Sequence, residues 1–250
     1  MKELEGKVAV ITGGASGIGR ATAERLARSG VRLVLGDIEE PVLAETVAQL
    51  SAGGADVIGH VTDVASLASV ESLRDAALAK FGAAHIIFNN AGVGGGPTIT
   101  SSPAMWDWVM GVNVDGVVWM CQAAIPSLLE RGGNIVNLAS SSGLMGGAYT
   151  VAYCASKGAV VQLTRALAME YVKTPLRVNA IAPGNVTTPL TAGFSFPSEG
   201  IDWDLVMRYS GLRGSAAPEE IAALVCFLAS DDAKNIDGAI ISSDGALTTG

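Results

Sequence analysis

Histidine is nearly absent: the 250 residues hold two, His60 and His85. A metal site built on imidazoles, or a Ser/His/Asp triad, has almost nothing to draw on, so no metal is expected. Both histidines flank apolar strand-like runs, where a structural role is expected. Cysteine is scarce too. Cys121, Cys154 and Cys226 make no CxxC pair and are odd in number, which argues against a disulfide framework and predicts three buried thiols. Charged residues are only 16% and unbalanced, 24 acids against 16 bases, for a net charge of −8 and a pI near 4.7. A chain this acidic repels nucleic acid and anionic lipid, and neither is expected as a partner. The longest unbroken apolar run, Ile221 to Ala229, is far shorter than the ~20 residues a membrane helix needs. Met1 to Glu5 is charged and lacks an apolar signal region, which predicts a cytoplasmic protein. Asn185-Val186-Thr187 matches a glycosylation sequon that, without a secretion signal, is incidental.

What is abundant is apolar sequence and glycine: 49% hydrophobic residues and 31 glycines. That balance suits an α/β protein with buried parallel strands and many tight turns. No linker divides the chain, so residues 1–250 are expected to form one domain. Lys7 to Thr12 is a short β-branched run that leads straight into Gly13-Gly14-Ala15-Ser16-Gly17-Ile18-Gly19, followed by helical sequence to Ser29 with Gly30 as its stop. Strand, glycine loop and helix in that order let the backbone approach a pyrophosphate, while the helix N-terminus offers free N–H groups to it. A second strand, Val31 to Gly36, ends at Asp37, eighteen residues after Gly19. An acid there accepts hydrogen bonds from ribose hydroxyls and repels a 2′-phosphate, and the adjacent Ile38 supplies no cation. The expectation is therefore NAD rather than NADP.

The alternation continues. Helix from Pro41 to Leu50 leads to a strand near Ala55 to His60, then to Thr62-Asp63-Val64, with Asp63 a candidate cap for a helix carrying Leu67, Val70, Leu73 and Leu78. The strand His85 to Phe88 delivers Asn89-Asn90-Ala91-Gly92, and Gly94 to Pro97 reads as a loop. A long helix is then expected from Pro103 to about Arg131, with the amide of Asn113 among apolar neighbours, where it is costly unless bonded. The strand Asn134 to Ala139 ends at Ser140-Ser141-Ser142-Gly143, and a helix from about Thr150 to Val172 carries Tyr153 and Lys157. Leu176 to Ile181 is a further strand ending at Pro183-Gly184. Residues 185–213 show little periodicity but carry Phe194, Phe196, Pro197, Trp203, Met207 and Tyr209, and read as an apolar lid. A helix from Pro218 to Ala229 and a strand from Gly238 to Ser242 close the chain.

In an open α/β sheet, ligands bind beyond the carboxyl ends of the strands, where the glycine loop, Asp37, Asn90 and Ser140 all fall. Tyr153 and Lys157 stand at i and i+4, so phenol and ammonium project from one helix face. A neighbouring cation stabilises a phenolate, which predicts a tyrosine made more acidic and suited to acid/base work.

Taken together these residues resemble the short-chain dehydrogenase/reductases in their compact single-domain branch. Thr12 with Gly13, Ser16, Gly17, Ile18 and Gly19 looks like the cofactor loop, Asp37 with Ile38 like the ribose-binding position of NAD-preferring members, and Asp63-Val64 like the pair beside the adenine. Asn89 to Gly92 looks like the motif supporting the central sheet. Asn113, Ser140, Tyr153 and Lys157 resemble the catalytic tetrad; of the three serines only Ser140 has the thirteen-residue offset from the tyrosine. Pro183-Gly184 with Val186 and Thr188 is similar to the segment that closes over the nicotinamide. Ala246 stands where a second glycine is common, a departure that bears on how the tail packs.

The resemblance implies a doubly wound Rossmann fold, a parallel seven-stranded sheet of order 3-2-1-4-5-6-7 with helices on both faces. It also implies reversible hydride transfer between NAD and a secondary alcohol or ketone. Tyr153 would then exchange the proton, Ser140 hold the substrate oxygen, Lys157 bind the ribose and Asn113 hold a water. Leu144, Met145 and the lid point to a hydrophobic alicyclic, aryl or steroid-like alcohol. Trp106, Trp108 and Trp119 on the long helix point, by resemblance only, to a homotetramer. Two rivals stay open: an NADPH-dependent 3-oxoacyl-thioester reductase docking an acidic carrier, and a nucleotide-binding protein without turnover.

Overall fold

Strand residues alternate between two faces, and the apolar residues of this chain occupy both, so each strand needs helices above and below it. Val8 and Val10 of β1 (Val8–Thr12) join one buried cluster with Val34, Ile87 and Ile135, while Ala9 and Ile11 join a second with Leu33, Leu35, Ile86 and Phe88. The computed structural model describes residues 2–94, 99, 102–193, 200–209, 211 and 213–249. The expected loop residues Gly95 to Pro97 and the lid residues Phe194, Phe196 and Pro197 lie outside them.

After β1 come α1 (Gly17–Ala27), β2 (Arg32–Asp37), α2 (Glu40–Ala52), β3 (Val57–Val61), α3 (Leu67–Phe81) and β4 (Ile86–Asn89). Then follow α4 (Pro103–Met110), α5 (Gly116–Arg131), β5 (Asn134–Leu138), α6 (Val151–Glu170) and β6 (Arg177–Pro183). The short helices α7 (Pro189–Ala192) and α8 (Trp203–Met207) precede α9 (Pro218–Ala229) and β7 (Ile240–Ser243). The strands form one sheet of order β3-β2-β1-β4-β5-β6-β7, every pair parallel. The parallel sheet is what the strand and helix alternation implies, and its order is the α/β Rossmann arrangement that the family resemblance implies. Residues of α3, α5 and α6 pack in the first cluster, and residues of α1, α2 and α9 in the second. Fully burying a side chain such as Phe88 or Ile135 contributes about 1.5–3 kcal/mol.

Several elements differ from the sequence reading. Residues 185–213 are not without regular structure: α7 is capped by Thr188, whose Oγ1 accepts from the Thr191 N–H, and α8 by Asp202. Periodicity misses helices of one turn because so short a segment has no repeat to detect. Asp63 does not cap α3; Ser66 does, and the Asp63 carboxylate instead accepts from the Ala65 N–H at 3.0 Å. The long helix from Pro103 to Arg131 is interrupted by a wider π turn over Gly111–Asp115. The helix is long enough, and its most apolar window apolar enough, to cross a membrane by length and composition alone, although the longest unbroken apolar run in the chain is far shorter. Half of its most apolar window is buried, with Val117, Met120, Cys121, Ala124 and Leu128 of α5 in the core. Ala246, in place of glycine, takes a left-handed φ of 72°, held by the Asp244 carboxylate, which accepts from its N–H at 3.0 Å.

His85 has the structural role expected: its Nδ1 accepts from the Val8 N–H at 3.1 Å, and burial, aided by Arg131, Lys7 and Arg32, lowers its pKa so that the ring stays neutral. Cys121 and Cys226 are buried thiols, pushed up by desolvation to about 12 and about 11. Cys154 is only half-buried, correcting the expectation for it, because it sits on the first turn of α6 at the rim of the sheet.

Candidate active site

The C-terminal ends of β1, β2, β3, β4 and β5 open onto a cleft of about 520 Å³. Gly13, Ser16, Gly17, Ile18, Asp37, Ile38, Asp63, Val64, Asn90, Ala91, Gly92 and Thr188 of the expected cofactor set all line it. Gly19 lies beneath the loop, because a Cβ there would overlap the Gly13 carbonyl and stand 2.6 Å from Asn90 Nδ2. Gly13 itself takes a left-handed φ of 63°, and a Cβ on it would come within 2.9 Å of the Ala91 backbone.

Asn90 binds the loop from the neighbouring strand. Its Nδ2 donates to the carbonyls of Thr12 at 3.0 Å and Gly13 at 2.8 Å, while Thr12 Oγ1 accepts from the N–H groups of Asn90 and Ala91. Behind it, Asn89 Nδ2 donates to Asn137 Oδ1 at 2.9 Å, and Asn137 Nδ2 to Thr164 Oγ1, a buried polar chain joining β4, β5 and α6.

The cleft has the features a dinucleotide needs. The N-cap of α1, Ser16, makes no side-chain cap bond, so the first N–H groups of that helix lack this partner and face the glycine loop. Asp37 Oδ2 accepts from the Ala15 N–H at 2.9 Å and Oδ1 from the Glu39 N–H at 3.1 Å. A carboxylate has about four lone-pair sites, so two backbone donors hold it in place and leave acceptor capacity toward the cleft. Ile38 beside it is 61% exposed. The residues present fit a nicotinamide dinucleotide. Gly19→Ala should therefore weaken dinucleotide affinity about tenfold, or ~1.4 kcal/mol, in a fluorescence titration. Wild-type affinity in that variant would show the loop to be ordinary turn structure.

Behind the cleft lining, against Gly92, Val93 and Leu138, the remaining candidates come together. Lys157, 4% exposed, donates from Nζ to the Leu138 carbonyl at 2.8 Å and lies 5.8 Å from the Tyr153 ring centroid. A Cβ on Gly92 would stand 3.5 Å from that ammonium and 3.3 Å from Asn113 Oδ1, so both reach the cleft wall. Asn113 is fully buried in the π turn: Oδ1 accepts from the Val93 N–H at 2.8 Å, and Nδ2 donates to the Val93 carbonyl at 2.9 Å and to Ser156 Oγ at 3.0 Å. Both Nδ2 protons are spent on protein groups, and Oδ1 keeps one lone pair beyond its bond from Val93. Ser140 is buried, accepts from the Ser142 N–H at 3.1 Å, and is near enough to the Tyr153 hydroxyl to pull that phenol's pKa down, which singles it out from Ser141 and Ser142.

The expected acidity of Tyr153 is not what the chain alone produces. Desolvation raises its pKa above the ordinary tyrosine range, the Ser140 hydrogen bond pulls it down and the nearby Cys154 pushes it up. The same burial brings Lys157 down from 10.5 to about 8. Two groups removed from water both favour their neutral forms, and a cation 5.8 Å from the ring does not overcome that.

Not every predicted position reaches the cleft. Val186 has its side chain in the second core cluster and bridges Ala216, while Gly184 packs against Asp244. Pro183 is buried at the end of β6. Conversely, Thr62, Trp108, Val112, Leu138 and Leu190 line the cleft and escaped the sequence reading. Thr62 and Leu138 were findable, since they stand at the carboxyl ends of β3 and β5; Trp108, Val112 and Leu190 come from helical turns whose orientation no local pattern carries. Of the three tryptophans expected at a subunit contact, Trp108 lines the cleft, Trp119 packs against the core, and Trp106 is 39% exposed.

Comparison with known proteins agrees with this geometry. Residues 13–248 match a family model described as enoyl-(acyl carrier protein) reductase. The chain is 40% identical to meso-2,3-butanediol dehydrogenase of Serratia marcescens over 98% of its own length and 96% of that protein's. It is 39% identical to 3beta-hydroxysteroid dehydrogenase 2 of Eggerthella lenta, over 97% and 95% respectively. Among solved structures, a short chain dehydrogenase from Mycobacterium paratuberculosis bound to NAD superposes with a TM-score of 0.91 at 32% identity, covering 99% of this chain and all of that one.

Proposed function

The chain belongs to the short-chain dehydrogenase/reductase family, whose members here are oxidoreductases of CH–OH donors, and from that premise we propose that it is an NAD-dependent dehydrogenase of a hydrophobic secondary alcohol. The observation supporting this reading is the grouping of Ser140, Tyr153 and Lys157 beside Leu138, which itself lines the cleft. When bound, the dinucleotide supplies the nicotinamide carbon that accepts or returns the hydride. Ser140 Oγ holds the substrate oxygen, and Tyr153 Oη takes its proton in oxidation and gives it back in reduction. The Lys157 ammonium, fixed by the Leu138 carbonyl, would bind ribose hydroxyls, and its charge opposes the desolvation that disfavours the phenolate. Asn113 keeps the Val93 main chain and Ser156 in register beneath them.

Asp37 supports NAD over NADP, since its held carboxylate would stand against a 2′-phosphate with no cation supplied by Ile38. Asp37→Ala should weaken NAD about tenfold, ~1.4 kcal/mol, and narrow the gap to NADP; an unchanged ratio of kcat/KM for the two cofactors would remove Asp37 from the recognition of ribose.

Residues 1–250 are taken as one domain, with 185–213 closing the substrate side as a lid, and a homotetramer and cytoplasmic location belong to the same reading. The three unpaired cysteines support the location. The relatives acting on a butanediol and on a hydroxysteroid support a small or alicyclic alcohol. The test is NADH absorbance over a panel of secondary alcohols: turnover on hydrophobic members is expected, and none on any member overturns the proposal. The family model's description names an acyl-carrier-protein reductase and so keeps a carrier-linked second reading in view, which for this chain would be an NADPH-dependent 3-oxoacyl-thioester reductase. Asp37 and the net charge of −8, which repels an acidic carrier, weigh against it; salt-sensitive carrier binding would favour it.

A further inference from the structure

Two contacts around α8 have no part in the chemistry above. Tyr149 holds a left-handed φ of 63°, a conformation that side chains of its size seldom adopt unless their surroundings enforce it. Its hydroxyl accepts from the Asp202 N–H at 2.9 Å and reaches the Gly200 carbonyl at 3.5 Å. Asp202 is the N-cap of α8, with Oδ1 accepting from the Asp204 N–H at 3.0 Å. From the other end of α8, Tyr209 returns to the same place. Its hydroxyl occupies the space that a side chain at Gly147 would fill, beside Thr150 Oγ1 and Cys154 Sγ. That hydroxyl is covered and makes no hydrogen bond of good geometry, and burial pushes its pKa up to about 12. Residues 200–209 are thus hydrogen-bonded to 147–154 at one end, through Tyr149, and packed against them at the other, through Tyr209, and that stretch delivers Tyr153.

We propose that Tyr149 and Tyr209 form a two-point clasp that seats residues 200–209 over the first turn of α6 and so positions the substrate against Tyr153. Both are positioning residues, and neither touches the reacting atoms. In assigning the substrate to this side the inference rests on the function proposed above. The arrangement also gives each residue type a reason. Tyr149 keeps an unfavourable backbone because only a long side chain ending in an acceptor spans to Asp202, and Gly147 lacks a side chain because the Tyr209 hydroxyl is there.

Tyr149→Gly separates the clasp from stability, since it relieves the left-handed backbone while removing the hydroxyl. The expected result is a Tm at or above wild type, Asp202 amide exchange faster by about tenfold or more, KM for the alcohol raised about tenfold, and kcat and NAD affinity within about threefold. Tyr149→Phe should raise KM and exchange alike without the gain in Tm. Gly147→Ala, whose methyl displaces the Tyr209 hydroxyl, should raise KM from the other end. Unchanged Asp202 exchange in Tyr149→Phe overturns the clasp, and faster exchange with wild-type KM overturns its positioning role. Exchange needs no substrate, so a protein that loses amide protection on mutation yet oxidises no alcohol would refute the dehydrogenase assignment and keep the clasp.

Discussion

Tyr153→Phe should lower turnover on the order of 10²–10⁴-fold, the range a positioned proton donor contributes, while dinucleotide affinity stays within about a factor of two. The phenylalanine ring fills the same volume and leaves the 5.8 Å approach of the Lys157 ammonium intact, so only the hydroxyl, with Ser140 beside it, is lost. Single-turnover kinetics and a binding titration read the two effects separately. Comparable rates in wild type and variant would remove Tyr153 from the reaction, whatever its placement. The chain without cofactor offers a companion measurement. Because desolvation outweighs both the serine bond and the lysine field, the Tyr153 phenol should titrate above the ordinary tyrosine range, seen as the absorbance difference between wild type and Tyr153→Phe on raising pH. A phenol ionising below that range in the empty protein would mean that Lys157 alone makes it acidic.

Lys157→Met should lower activity about 10²-fold or more and at the same time make the empty protein more stable. The ammonium is 4% exposed with one carbonyl partner described, and burial lowers its pKa from 10.5 to about 8. Between those values the unfolded chain still holds a proton that the folded chain has released, so wild-type stability rises with pH there. Below about pH 8 the full penalty is present, about 3 kcal/mol for a shift of this size, partly offset by the bond to Leu138 that methionine cannot make. A net gain of about 2 kcal/mol is expected at pH 7, several degrees in Tm, shrinking steadily as pH approaches 10. Urea unfolding of both proteins across that range checks it. A difference that does not change with pH would mean that the ammonium is not desolvated in the folded chain.

Why some of the site was legible and some was not can be argued from particular residues. Gly13, Gly17, Gly19 and Asp37 were readable because the loop they build follows one strand and precedes one helix, and the acid ends the next strand. Each position depends on neighbours along the chain. Tyr153 and Lys157 were readable for the same reason, since i and i+4 share a helix face wherever that helix packs, whereas Ser140 was chosen only through the family resemblance. Asp63 was misread as a cap because aspartate and serine serve equally well, and the path of the chain between β3 and α3 chose Ser66. Asn113 was marked by its apolar neighbours, but its partners, Val93 and Ser156, come from the far side of the π turn and from α6. The contacts of Tyr149 and Tyr209 join segments roughly fifty residues apart, separated by no periodic signal.

From the order of its residues alone, this chain determined the sheet, the glycine cradle and the pairing of phenol with ammonium, because alternation, helical period and strand ends are properties of adjacent residues. The packed molecule decided whether that pairing makes the phenol acidic, which strand carbonyl holds the ammonium, and what fastens residues 200–209. Those outcomes depend on how much water is removed and on which distant groups replace it, quantities that exist only after α6, β5 and the 200–209 segment have met.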